Sequence, residues 1–247
     1  IANKVVEEVS KTSTDEKQDL SAKVLKAIVD TEPSKIETLD QEIKEKVIEQ
    51  AIDAAKDQQE NLTEGQTLSN EEDLTNLVAD IVTKADNDTA AKVLETLNDA
   101  SDETDSKLTL NVVENLTKKE NYEEKIEILS VTSSVVDQSI NKIMENAVEE
   151  ASNESDIEKV KNIVENSKGT LSNKLIDSAN KNEESKKKIT EVIVEIVEEN
   201  PEKAVEIIEK NKNTNTVTET IKNKIENDEA VTSEDFEEVF DTNVSPN

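Results

Sequence analysis

Apolar residues recur along this chain at positions i, i+3, i+4 and i+7, the spacing that places them on one face of an α-helix. The longest of these stripes consists of Val136, Ile140, Ile143, Met144, Ala147 and Val148. Shorter stripes lie within residues 43–55, 74–82, 93–97, 108–116, 157–164, 171–176, 189–197, 204–208 and 217–225. None of these segments alternates apolar and polar residues as a half-buried strand would. The pattern therefore predicts an all-α protein.

Capping residues indicate where the helices begin and end. The segments Ser34–Glu37, Ser69–Glu72, Ser155–Glu158 and Thr216–Glu219 have the form of a capping box, in which a hydroxyl accepts a first-turn N–H and Glu reaches back. Gly169 follows the 157–164 stripe and suits a left-handed turn at a helix end. The chain has only two glycines, so most turns must use Asn, Asp, Ser and Thr, which suit helix–helix connections.

Two segments of the chain form a degenerate repeat. In residues 27–35 and again in 195–203, an Ile-Val pair is followed by a short acidic turn, after which Pro33 or Pro201 starts the next helix. Helices of this kind cannot bury their stripes alone and must stack on their neighbours. The sequence thus predicts an elongated array of antiparallel amphipathic helix pairs, either an irregular α-solenoid or a multi-helix bundle.

The hairpins at 28–35 and 196–203 resemble those of HEAT-like α-solenoids, and the resemblance extends over about residues 20–226. A polar stretch that contains Gly65 and lacks a stripe is a candidate hinge, or simply a long loop inside one domain. We expect the chain to divide into an N-terminal helical unit at 1–57, a polar hinge or loop at 58–70, a main helical-hairpin array at 71–232 and a capping or docking tail at 233–247.

Composition refines this picture. Hydrophobic residues make up 33% of the chain but aromatic residues only 1%, so we expect thin aliphatic layers between helices and not a wide core. The formal net charge of −30 repels nucleic acids and anionic lipid and attracts cations and basic proteins, or else forms a solvated coat. No segment is long and apolar enough to span a bilayer. We therefore expect no nucleic-acid partner and no direct membrane insertion.

The inventory of reactive side chains is short. The chain has no Cys and no His, and every basic residue is Lys. Without a thiol or an imidazole there is no nucleophile–base pair of the usual kind, and no Gly-rich loop is present to hold a phosphate. Carboxylates are numerous, but none stands among apolar neighbours that would raise its pKa for acid–base catalysis. We expect a non-catalytic protein without a cofactor.

Two short loops concentrate oxygen ligands of the kind that Ca²⁺ prefers. The first contains Asp86 and Asp88, and the second contains Asp99, Asp102 and Asp105. Neither loop has the ligand spacing of an EF-hand. Aspartates in such positions also cap helices and fill turns. Ca²⁺ binding by these five residues is thus a hypothesis with a structural alternative.

Both ends of the chain offer apolar residues to a partner. The N-terminal segment contains Val5, Val6 and Val9, and the C-terminal segment contains Phe236, Val239 and Phe240. Phe236 and Phe240 lie four residues apart, so they share one face if the tail is helical. The two ends would meet head to tail in an open filament, unless the tail folds back and caps its own chain.

The tail at 235–247 and the acidic, Lys- and Asn-rich composition are similar to helical segments of exported proteins from AT-rich aquatic bacteria. The resemblance implies an extracytoplasmic or cell-surface protein. A chain that begins at Ile1 and not at Met is expected to be a processed product or a fragment. Two functions remain open: a structural or scaffold protein that assembles with copies of itself through its helical ends, and a soluble acidic binding module for a basic protein or for divalent cations.

Overall fold

The computed structural model describes residues 4, 6, 8, 15–62, 66, 68–69, 72–101, 107–179, 181, 183–200, 215–227 and 229–236. This part of the chain contains eleven α-helices with described bounds and no strand. They are α1 (Asp15–Thr31), α2 (Gln41–Glu60), α3 (Leu74–Lys84), α4 (Asn87–Ser101), α5 (Leu108–Thr117), α6 (Tyr122–Thr132), α7 (Ser134–Glu149), α8 (Glu154–Asn166), α9 (Gly169–Ala179), α10 (Glu183–Glu199) and α11 (Asn215–Glu226). The prediction of an all-α protein is confirmed.

The helices pack in two rows. The first row contains α1, α3, α5, α8 and α10, each packed on the next, and the second contains α2, α4, α7 and α9. Neighbours within a row run parallel: Lys159 of α8 donates to Asn111 of α5 at 2.6 Å, and one turn further along both helices Asn162 donates to Glu114 at 3.2 Å. Because α1 and α2, and likewise α3 and α4, are consecutive and packed together, they form antiparallel pairs across the rows.

Helix α6 interrupts this alternation. It packs on α7 and α9, and its first residue, Tyr122, is 5% exposed. The Tyr122 hydroxyl donates to the carbonyl of Asn166 at 2.6 Å, so it ties α6 to the end of α8. Burial, with the charge of Glu123 adding to it, raises the pKa of Tyr122 to about 12. The extra helix is therefore anchored at its start by a buried, neutral phenol.

The core is a layer of aliphatic side chains between the rows, to which all eleven helices contribute. The predicted stripe of α7 shows the correspondence between pattern and burial. Its members, Val136, Ile140, Ile143, Met144, Ala147 and Val148, are each between 0% and 3% exposed. Full burial of one such Val, Ile or Met side chain contributes about 1.5–3 kcal/mol relative to exposure.

Two helix starts are displaced from the predicted capping boxes. Asp73 caps α3 and Asn153 caps α8, whereas the sequence predicts caps at Ser69 and Ser155. The Ser69 hydroxyl does donate to Glu72, at 2.7 Å, but this contact lies in the turn before α3. Asp and Asn cap as well as Ser does, so the residue next to the first packed turn takes the role.

The capping box predicted at Ser34 is wrong. Residues Pro33–Lys35 form a 3₁₀ turn, and the following α-helix begins at Gln41. Its cap is Asp40, whose carboxylate accepts the N–H of Glu42 at 3.1 Å. Proline therefore starts a single 3₁₀ turn here and not the next α-helix.

Gly169 adopts the predicted left-handed conformation, with φ of +52°, but it begins α9, since α8 has already ended at Asn166. A Cβ at this position would collide with the carboxylate of Glu123 on α6. Asn121 makes the corresponding left-handed turn before α6, with φ of +60°. The glycine therefore serves both the backbone conformation and the close approach of α6.

The predicted boundary at residue 57 falls inside α2, which continues to Glu60. Gln58 donates to the carbonyl of Glu72 at 2.7 Å and accepts the N–H of Leu74 at 2.8 Å, so it joins the end of α2 to the start of α3. Helix α2 also packs directly on α3 and α4. The division of the chain at 58–70 stays a prediction, because residues 63–65, 67 and 70 lie outside the described part.

Candidate binding groove

A groove of about 770 Å³ lies where the turn between α7 and α8 meets α10. Ala151 and Ile157 contribute apolar surface to it. The ionisable groups around them are Glu149, Glu154, Glu158, Glu184, Lys188 and Glu195. Five carboxylates and one ammonium group thus face one concave surface, which we call the acidic groove.

The groove remains negative after its internal pairs are counted. Lys188 lies 3.2 Å from Glu184, whose side chain is nevertheless 80% exposed. Glu154 and Glu158 are exposed and form no ion pair with another residue that the structure describes. Carboxylates that crowd a concave surface concentrate the negative potential there. A cationic side chain that enters the groove would therefore meet carboxylate charge that no direct ion pair neutralises at Glu154, and that Lys161 shares only at longer range at Glu158.

Lys161 holds the two walls of the groove together. Its side chain is 7% exposed, and its Nζ lies 2.7 Å from Glu199 and 3.5 Å from Glu195, both on α10. The hydrogen bond with Glu199 raises the pKa of Lys161, so the ammonium group stays charged. The stem of Lys161 is covered while its carboxylate partners are exposed, so this contact links α8 to α10 at the edge of the groove.

The α8 side of the groove is built on a buried carboxylate. Asn153 caps α8 by accepting the N–H of Asp156 at 3.1 Å. The Asp156 side chain is 3% exposed and lies 2.6 Å from the Nζ of Lys107, which precedes α5. It also accepts the N–H of Ser152 at 3.3 Å. The turn that carries Glu154 is therefore anchored to the neighbouring helix of the row.

A second carboxylate, Glu150, joins the same turn to α5. It accepts the N–H of Leu110 at 2.8 Å and both the N–H and the hydroxyl of Thr109. These are first-turn donors that α5 cannot satisfy internally. Burial raises the pKa of Glu150 despite the hydrogen bonds from Leu110 and Thr109, and the charge of Asp156 adds to the rise. The floor of the groove is thus held by buried polar contacts, while its acidic rim faces solvent.

The predicted calcium ligand Asp86 has a structural role. It accepts the N–H of Thr89 at 3.0 Å and the Thr89 hydroxyl at 2.5 Å, at the start of α4. Burial opposes ionisation, but the hydrogen bonds from Thr89 outweigh it and lower the pKa of Asp86. This is the capping arrangement that the sequence offers as the alternative to metal binding.

The other predicted calcium ligands do not converge. Asp88 lies in the first turn of α4 and Asp99 near its end, and both are exposed. Asp102 and Asp105 lie outside the described residues. Within the part of the chain that is described, no group of three or more acidic side chains is placed to hold a metal ion. Ca²⁺ binding stays a prediction.

The predicted N-terminal docking residues are described in part. Val6 is 1% exposed and belongs to the core of its own chain. Val5 and Val9 lie outside the described residues. Docking of this segment to a second copy stays a prediction.

The beginning of the C-terminal tail contacts its own chain. The 3₁₀ turn at Ser233–Phe236 packs on α10 and α11. Within it, Asp235 accepts the N–H of Thr232 at 2.7 Å and lies 2.5 Å from the Nζ of Lys224. The Phe236 side chain, Val239 and Phe240 lie outside what is described. Whether they cap this chain or dock on another stays a prediction.

Sequence reasoning missed two surfaces. The glutamates of the acidic groove come from residues 149–158 and 184–195, and no local pattern marks them as a group. It also missed three exposed aliphatic residues, Ile128, Val131 and Val135. A usable signal for the latter exists, because residues 126–136 hold more aliphatic side chains than one helical face can bury.

Comparisons with protein-family models, with curated proteins and with solved structures find no match to this chain. The resemblances to HEAT-like α-solenoids and to exported bacterial proteins therefore stay predictions. Among the described helices, none combines the length and apolar character that crossing a membrane requires.

Proposed function

We propose that this protein is a non-catalytic scaffold whose acidic groove binds a Lys- or Arg-rich segment of a partner protein. The convergence of five carboxylates on one groove, where Lys188 pairs with Glu184 and Lys161 pairs with Glu195, is the observation that carries the proposal. A basic segment is a better fit than a metal ion, since the described carboxylates form no metal-binding group. An exported or surface-associated location remains part of the proposal, supported by the resemblance of the tail and composition to exported proteins.

The groove suits a peptide segment because its shape and its charge are both present before binding. The buried contacts of Asp156 and Glu150 hold the turn, and Lys161 holds α10 against α8. A site that is already ordered avoids the conformational cost of forming on binding. The exposed rim charges then steer a cationic partner and give its binding a strong salt dependence.

The test uses a labelled peptide of alternating Ala and Lys, titrated with the full chain from about 0.01 M to about 1 M salt. We expect the double variant Glu154→Gln and Glu158→Gln to bind it roughly fivefold more weakly at low salt, as the loss of two exposed charge contacts implies. The matched control is Glu49→Gln with Glu60→Gln, two exposed residues of α2 that remove the same charge outside the groove. Equal weakening by both pairs would mean that only net charge matters, and the groove proposal would be wrong.

The competing proposal is a structural subunit that assembles through its ends. It requires large assemblies of the chain alone, strengthened by salt because screening reduces the repulsion between acidic copies. Light scattering across protein and salt concentration separates the two. A stable monomer that binds the basic peptide supports the scaffold with an acidic groove, and salt-promoted filaments without peptide binding support the subunit.

A further inference from the structure

Three exposed aliphatic side chains lie at the corner between α6 and α7. Ile128 is 38% exposed, Val131 is 80% exposed and Val135 is 58% exposed. Ile128 and Val131 share one face of α6, and Val135 follows in the first turn of α7. Among the large apolar residues that the structure describes, one other is exposed, Leu20 on α1. We call Ile128, Val131 and Val135 the apolar ridge.

Packing of the chain does not account for the apolar ridge. Helix α6 already buries Tyr122, Ile126 and Leu129. A helix that only packs on its neighbours needs one apolar face. A second apolar face buries no further surface in the core. Clustered exposed apolar residues in an otherwise polar surface mark an interaction site.

Acidic side chains border the apolar ridge on both sides. Glu124 lies one turn before Ile128 on α6, Glu127 lies one turn before Val131, and both glutamates are exposed. On the other side, Val135 lines a groove of about 360 Å³ between α4 and α7, together with Glu95 and Asp99. Aliphatic side chains between carboxylates are complementary to a segment that has apolar side chains flanked by Lys or Arg.

The one basic residue in the lining of that small groove faces two carboxylates there and a third on its own helix. Lys142 lines the groove but lies 3.6 Å from Glu145 of the next turn of α7. A second copy of this chain is a poor occupant, because it would bring the same acidic border and a net charge of −30 against it. Charge complementarity therefore favours a partner of opposite sign.

We propose that the apolar ridge docks a short amphipathic and basic helix of a partner protein. Apolar side chains of that helix cover Ile128, Val131 and Val135, and its cationic side chains face Glu124 and Glu127. In this mode of recognition, the partner helix places apolar side chains at i, i+3 and i+4 against an apolar strip on the surface. The ridge and the acidic groove share no residue, so the two proposals stand or fall separately.

The test compares two labelled peptides of equal length and charge by fluorescence anisotropy: an amphipathic Leu/Lys helix and its Ala/Lys counterpart. The ridge variant is Val131→Gln with Val135→Gln. Leu20→Gln is the control, because Leu20 is the other exposed large apolar side chain in the described part of the chain. Gln favours helix more than Val does, and these positions are exposed, so melting temperatures should be unchanged. The single variant Val131→Gln gives a second, milder perturbation.

We expect the unaltered chain to prefer the Leu/Lys peptide, and the double ridge variant to bind it about tenfold more weakly, since it loses apolar burial. Binding of the Ala/Lys peptide, and of both peptides by the Leu20→Gln variant, should not change. Equal binding of the Leu/Lys peptide by the unaltered chain and by both ridge variants would overturn the proposal. So would a dimer of the chain alone that Val131→Gln with Val135→Gln abolishes, because a second copy would then occupy the ridge. Weaker Ala/Lys binding by the Glu154→Gln, Glu158→Gln variant concerns the acidic groove alone.

Discussion

Helices α8 and α6 differ in how they distribute their apolar residues. Helix α8 buries Val160 and Ile163 and presents acidic residues such as Glu158 to solvent. Helix α6 buries Ile126 but leaves Ile128 38% exposed. The face of α8 is fully explained by the packing of the array. The second apolar face of α6 is not explained by packing. The two helices therefore differ in which exposed residues we assign to recognition, which are glutamates on α8 and aliphatic residues on α6.

The largest expected effect tests the two faces of α6 directly. Ile126→Ala should lower the free energy of unfolding by about 3 kcal/mol, because a 1% exposed side chain leaves a cavity. Ile128→Ala, the control on the exposed face of α6, should lower it by about 1 kcal/mol, because this side chain is 38% exposed and its loss leaves no enclosed cavity. Urea unfolding of the two variants measures both values. Similar losses would show that the faces of α6 are not distinct.

A second prediction concerns the anchoring of the acidic groove. Asp156→Asn should destabilise the chain by about 2 kcal/mol at neutral pH, since it leaves Lys107 without its partner. The effect stays below that of a fully buried pair because the Lys107 side chain is 34% exposed. Glu154→Gln, in the same turn but exposed, should change stability by less than about 0.5 kcal/mol. If urea unfolding shows the two variants to be equally stable, the turn is not held by Asp156.

The third prediction concerns Gly169, which follows α8 in the chain and lies beside Glu123 of α6. Gly169→Ala should cost about 1.5 kcal/mol, because an L-residue is disfavoured at φ of +52° and its Cβ meets Glu123 of α6. Asn121→Gly, at the corresponding turn before α6, should change stability by less than about 0.5 kcal/mol, since Asn tolerates this conformation. Thermal unfolding compares them. An unchanged midpoint for Gly169→Ala would contradict the strain of an L-residue in this left-handed conformation.

The smallest expected effect concerns Asp86, close to the inner side of α6. Asp86→Asn should cost about 1 kcal/mol at pH 7 through the weakened cap of α4. The pKa of Asp86 is lowered in the folded chain, so its ionised form contributes stability above the ordinary Asp pKa of 3.8, and that contribution is lost as the pH falls through the folded pKa. The difference between the two proteins should therefore shrink below pH 3.8. A difference that stays constant down to acid pH would mean that the cap does not depend on the charge of Asp86.

Much of the fold could be predicted because each helix carries its own period. The stripe from Val136 to Val148 predicts which face of α7 is buried, and the prediction does not depend on knowing the neighbouring helices. The exact caps could not be predicted, because Asp73 and Ser69 are equally good capping residues and the packing of α3 decides between them. Helix α6 is absent from the predicted stripes, since its aliphatic side chains do not follow one face.

The acidic groove could not be predicted for a different reason. Its glutamates lie in two segments that only the stacking of α8 and α10 brings together. A sequence with 59 acidic residues offers no signal for which of them share a groove. The apolar ridge is the opposite case, because Ile128 and Val131 break the helical pattern and could have been recognised as surplus to the core.

The proposed function requires that a chain of highly basic sequence without large apolar side chains binds in the acidic groove, and not at any acidic part of the surface. Amide chemical-shift mapping during titration with the Ala/Lys peptide locates the binding site residue by residue. We predict that the largest shifts fall in residues 149–158 and 184–195, and that they shrink when Glu154 and Glu158 are replaced by Gln. The opposite result is a set of similar shifts spread over the exposed acidic positions of α2 and α4, with no change when Glu154 and Glu158 are replaced by Gln. Such shifts would show that the peptide binds only as a diffuse counter-ion, and the acidic groove would not be a binding site.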